Sequence, residues 1–131
     1  MFLALDHGIA SVRDSGGPLI PFAITDRAGE RQLARFMSER LEAALEQALQ
    51  ATQTTVLGPN DRVVVVYDGY LTVPGAGRTD AIYAESLDAT GRHIVMAQRY
   101  KPKGFLRGFA TVGNPALLPP DGGRLYSRSS G

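Results

Sequence analysis

Four consecutive valines, Val63-Val64-Val65-Val66, constrain this chain more than any other feature. β-branched side chains favour extended backbone, and a strand with one solvated face alternates apolar with polar residues. A run that is apolar at both parities must be covered on both faces. The segment Arg62 to Val73 is therefore expected to be the central strand, broken at Pro74-Gly75-Ala76-Gly77.

The flanking patterns fill in the elements around it. Phe2, Leu5, Ile9 and Val12 recur at helical spacing, predicting an amphipathic helix over 2–14 that Ser15-Gly16-Gly17-Pro18 stops. Leu19 to Thr25 reads as a strand, with Pro21 pointing to an edge or a bulge. Asp26-Arg27-Ala28-Gly29 is a turn signal. A bulged hairpin there pairs Asp26 with Glu30, Ile24 with Gln32, Phe22 with Ala34 and Ile20 with Phe36, putting Ile20, Phe22, Ile24, Ala34 and Phe36 on one face. A continuous helix from Glu30 to Gln50 is the rival, so residues 30–37 stand open between strand and helix, with the hairpin favoured. Ser38 to Thr52 is helical on either reading, with Ser38 as cap and Leu41, Leu45, Ala48 and Leu49 on one face.

Thr79 to Leu87 and Arg92 to Lys101 flank a second Asp-x-x-Gly turn, Asp88-Ala89-Thr90-Gly91. The same register pairs Asp88 with Arg92, Ser86 with Ile94, Ala84 with Met96 and Ile82 with Gln98. Ile82, Ala84, Ile94 and Met96 then share an apolar face. The other face carries Tyr83, Glu85, His93, Val95, Ala97 and Arg99, a mixture that calls for cover by a helix, the C-terminal segment or another subunit. Phe105 to Val112 adds a short last strand that Gly113-Asn114-Pro115 ends. The expected fold is a single α+β domain over 1–118, an antiparallel sheet in the order α-β-β-α-β-β-β with two main helices. Residues 119–131 are expected to be a mobile tail.

Composition excludes several classes. With no cysteine, the chain has no disulfide scaffold, thiol nucleophile or thiolate zinc site. A hydrophobic share of 44% is that of a globular chain, and no apolar run reaches the length of a membrane helix. Residues 1–10 hold Asp6 and no basic residue, unlike the start of a secretory signal, so the expected location is the cytoplasm. The net charge is +1, yet residues 92–131 carry seven basic side chains against Asp121 alone. Internal pairing with the acidic segments is favoured over an anion-binding face.

The segment Asp68-Gly69-Tyr70-Leu71-Thr72-Val73-Pro74-Gly75, followed by Thr79-Asp80-Ala81-Ile82, resembles a family of short uncharacterised bacterial α+β proteins over residues 18–101. The resemblance implies the element order above and brings no activity. Asp68, Asp80 and Glu85 with Lys101 also resemble in outline the acids and lysine of metal-dependent nucleases. Residues 80 and 85 differ in parity, however, and point to opposite faces of a regular strand. Asp80 is better read as tying down its loop through Thr79 or Arg78. Gly75-Ala76-Gly77-Arg78 is followed by a strand where a phosphate-binding loop needs a helix, so no cofactor is expected.

His7 and His93 lack a serine elbow or a paired metal-ligand spacing, so no metal site and no triad is expected. Asp68, Thr79, Asp80, Glu85 and His93 are retained as a candidate polar site. Arg99, Lys101, Lys103 and Arg107, interleaved with Tyr100 and Phe105, are a candidate anion or nucleic-acid grip. The modest net charge counts against nucleic acid. The favoured function is a small non-catalytic interaction module that self-associates, its motives being the mixed sheet face and the apolar Ala116-Leu117-Leu118. Anion binding and a small carboxylate/histidine enzyme are the alternatives.

Overall fold

Val65 and Val66 are consecutive residues, both fully buried, and they belong to two different apolar clusters. The strand that carries them therefore has packed layers on both faces, as its sequence requires. The computed structural model describes residues 2–15, 19–75, 77–102 and 108–125. Its elements are α1 (Phe2–Ser15), β1 (Phe22–Arg27), β2 (Glu30–Arg35), α2 (Leu41–Thr54), β3 (Arg62–Val73), β4 (Gly77–Asp88), β5 (His93–Lys101), β6 (Ala110–Leu118) and a short helical turn at Pro120–Gly122. All strand pairs are antiparallel, in the order β2-β1-β3-β4-β5-β6, giving an α+β domain.

On one face, Leu5 and Val12 of α1 pack against Val64, Val66, Ile82 and Ala84. Gly8 lets the helix settle close, because a β-carbon there would stand 2.7 Å from Val66 Cγ1. On the other face, Leu45, Ala48 and Leu49 of α2 cover Val65, Tyr67, Tyr83 and Val95 together with Leu125. The mixed face of β4 and β5 is thus covered within the chain, by α2 and the C-terminal segment. Residues 119–125 are not a free tail. Leu125 is only 1% exposed, because its apolar side chain completes the α2-side cluster. The rest of the expected tail, 126–131, lies outside the described residues.

The two Asp-x-x-Gly turns diverge. In the β4–β5 hairpin the expected register is observed, with Ile82 opposite Gln98, Ala84 opposite Met96 and Ser86 opposite Ile94. Asp88 closes this loop, its Oδ1 accepting from the Thr90 amide at 2.9 Å and the Arg92 amide at 3.0 Å. The β1–β2 hairpin is slipped by one residue from expectation: Arg27 faces Glu30 and Ile24 faces Leu33. Ala28 and Gly29 alone make the loop, both with positive φ (51° and 83°), the conformation of a tight two-residue turn. The slip separates the expected apolar set: Phe22 and Ile24 join the α1-side cluster, Phe36 packs on the α2 side, and Ile20 is exposed. Residues 30–35 are strand.

α2 begins at Leu41, with Arg40 in the cap position and no side-chain cap, so Ser38 does not cap it. β6 runs through Gly113-Asn114-Pro115 instead of ending there. A bulge opposite Gln98 absorbs these residues, Gly113 takes φ of 69°, and the edge position leaves proline no inner ladder bond to break. The buried Gln98 amide nitrogen lies 2.9 to 3.2 Å from the carbonyl oxygens of Arg99, Val112 and Gly113.

Candidate ligand-binding site

β1 and β3 pair only as far as Phe22 opposite Val66, while β3 and β4 continue together to Val73 and Gly77. From Tyr67 onward, no strand among the described residues borders that side of β3. A cavity of about 610 Å³ opens there, within the usual range for small-molecule sites. Leu19 and Pro21 form one wall, Leu41 and Leu45 of α2 another, and Gly122 to Arg124 a third. The β3–β4 ribbon supplies Tyr67, Asp68, Tyr70, Asp80 and Tyr83.

The register decides which of these act together. Asp68 faces Ile82 and Tyr70 faces Asp80, so Asp68, Tyr70 and Asp80 share the α1 face. The Tyr100 hydroxyl lies 2.8 Å from both oxygens of Asp68 and donates its single proton between them. Burial raises the Asp68 carboxyl above the usual aspartate range and the nearby Asp80 charge adds to this, while Tyr100 and the Leu19 and Gly69 amides pull it back. Burial, and then the Asp68 hydrogen bond, hold the Tyr100 phenol well above the ordinary tyrosine range. Asp80 is half-buried and, among the described residues, has no hydrogen-bond or ion-pair partner.

Glu85 and His93 lie on the α2 face. Glu85 is 0% exposed and its two oxygens are fully engaged. One accepts from His93 Nε2 at 2.7 Å and the Leu125 amide at 3.2 Å. The other accepts from the Tyr67 hydroxyl and, at 2.8 Å, from the Arg124 amide. A carboxylate offers about four lone-pair directions, and four donors occupy them. Glu85 is thus the anchor that fastens residues 123–125 over the sheet. A β-carbon at Gly123 would collide with its carboxylate, so glycine is what fits there. Burial raises the Tyr67 phenol far above its ordinary range, and Glu85 raises it further. Tyr83 stacks on Tyr67 with centroids 5.3 Å apart and donates to Tyr70 O at 2.7 Å.

The five candidate polar residues therefore fall apart. Glu85 and His93 form one group, Asp68 and Asp80 another, and the Thr79 hydroxyl donates to Leu71 O at 3.1 Å. Asp80 does not tie down the loop after β3 as expected: Thr79 bonds the Leu71 carbonyl instead, and the Arg78 guanidinium carbon stands 3.7 Å from the Tyr70 ring centroid, a cation–π contact. His7 meets Phe22 edge-on at 5.1 Å. Of the basic candidates, Arg99 is partly buried beside Gly113 and Lys101 is exposed at the end of β5. Lys103 and Arg107 lie outside the described residues. Sequence reading missed Tyr67 and the 122–124 segment, and it placed Tyr100 only in the basic stretch and not beside Asp68. The visible trace of Tyr67 is the polar Tyr-Asp-Gly-Tyr interruption that ends the valine run.

Among the described residues, no helix is long and apolar enough to cross a membrane, and no group of three or more histidine or carboxylate side chains is placed to hold a metal ion. Set against family models, curated proteins and solved structures, the chain has no match in any of the three.

Proposed function

We propose that this chain is a cytoplasmic, non-catalytic binding module for a small molecule, taken up in the cavity beside β3. The observation that carries this reading is the cavity itself: about 610 Å³, with mixed apolar and polar walls drawn from four separate parts of the chain. The enzyme alternative weakens because Glu85 has no lone pair left for a substrate and His93 is turned onto it. The anion-binding alternative weakens at this site, because its walls carry more carboxylates than cations.

Titration with the neutral apolar dye Nile red tests the reading. One saturable site, weakened when Leu41 at the cavity wall is replaced by arginine, is the expected outcome. Non-saturable uptake, or equal affinity in Leu41→Arg, contradicts it. Leu41 is 46% exposed, so that substitution leaves the core in place.

Self-association is a second reading, now supported by the sheet edges and no longer by an open sheet face. Edge strand β2 is exposed along its whole length, including Leu33, and Leu117 on edge strand β6 is 73% exposed. Light scattering on the purified chain tests it, since a monomer mass at all concentrations contradicts it.

A further inference from the structure

The cavity's chemistry is not symmetric in charge. Among the described residues, Glu42, Asp68 and Asp80 line it against Arg124 alone, and the Arg124 guanidinium is already 3.5 Å from Glu46. Asp68 and Asp80 stand diagonally on the same face of adjacent strands, two register positions apart, with Tyr70 directly opposite Asp80. Asp68 already has its hydroxyl donor, whereas the Asp80 carboxylate has no partner among the described residues. The Asp80 charge acts on Asp68 across a partly desolvated wall, and a positive charge placed between the two carboxylates would relieve their repulsion. Leu19, Pro21, Leu41 and Leu45 face the same space and have no use for a bare, hydrated ion.

We propose that the cavity selects organic ammonium ligands: a primary or secondary amine held by Asp80 and Asp68, with an apolar or aromatic body against the leucine wall and the tyrosine rings. This rests on the binding-module reading above and adds the ligand class to it. The ammonium donates to Asp80, which is without a partner among the described residues, and to the Asp68 oxygen lone pairs that Tyr100 and the Leu19 and Gly69 amides leave unused. Tyr70 adds a ring face, although Arg78 stands over that ring and the ligand has to approach from the cavity side.

Protein-detected NMR titrations of the full chain with phenethylamine, phenethyl alcohol and phenylacetate test the inference. The amine is expected to bind tightest and the carboxylate weakest, with shifts centred on residues 68–70 and 80. Asp80→Asn is expected to weaken the amine about tenfold, the loss of roughly one charge-assisted hydrogen bond, and to leave the alcohol within about twofold. Equal affinity for amine and alcohol overturns the ammonium selectivity and leaves the cavity reading standing. Failure of all three, together with failure of Nile red, overturns both. Magnesium chloride producing the same shifts as the amine overturns the organic class in favour of a metal.

Discussion

Asp68 and Glu85 sit on adjacent strands of one sheet, each takes a tyrosine hydroxyl, and they serve different ends. Glu85 faces α2, is wholly excluded from water, and has its oxygens filled by Tyr67, His93 and the amides of Arg124 and Leu125. Asp68 faces α1 just past the point where β1 leaves the sheet, so its neighbour on one side is a cavity. The parity of a strand decides between them. One carboxylate becomes an internal fastening, and the other becomes a wall that a ligand can reach. A buried acid is thus not by itself a sign of chemistry; what matters is whether its lone pairs are already taken.

The contrast breaks most visibly at Glu85. Replacing it with alanine strands two amides and a phenol in a buried setting, and we expect a loss of about 4 kcal/mol. Urea unfolding gives the figure, and hydrogen exchange should show the amides of Arg124 and Leu125 losing protection. Gly123→Ala attacks the same fastening from the chain that it holds. The added methyl has no room beside the carboxylate, and overpacking there should cost about 2 kcal/mol in the same urea assay.

Protons sharpen the contrast from the other side. The Asp68 carboxyl is raised above 3.8, so its ionisation is costlier in the fold than in the unfolded chain. Its contribution to stability is therefore fully present below that value and is lost as pH rises through the folded value. Amine binding runs the opposite way, since Asp68 must be ionised to hold the ammonium. Affinity for phenethylamine should fall as the solution is acidified through the raised Asp68 value, while affinity for the alcohol stays flat. Asp80 and Tyr100 face the same carboxylate, so the midpoint should move in Tyr100→Phe.

Much of the fold was legible because the strongest signals were local. Four valines declared the central strand, and an Asp-x-x-Gly loop with a self-capping Asp88 set the β4–β5 register. The same four-letter signal misled at Asp26 because a left-handed conformation at Ala28 closes a shorter loop. The shorter loop carries Phe36 to the α2 side, away from Phe22 and Ile24, a placement that turn letters do not encode. The site was legible only in pieces. Parity alone separated Asp80 from Glu85, but the cavity depends on where β1 ends and where residues 122–124 return. Both are long-range facts with no local signature. The C-terminal segment reads as loose from its prolines and glycines, yet a buried acid 39 residues earlier waits for its backbone.

One pair of variants tests the division of labour most directly. Asp68→Asn and Glu85→Gln each remove a single charge at nearly constant shape. For each, the urea midpoint and the ratio of phenethylamine to phenethyl alcohol affinity are measured. Asp68→Asn should leave stability within about 0.5 kcal/mol and lower the ratio several-fold. Glu85→Gln should cost about 2 kcal/mol and leave the ratio unchanged, even where a loosened wall weakens both ligands alike. Parallel behaviour, with both variants losing stability and neither changing the ratio, would contradict the account and make Asp68 a second fastening.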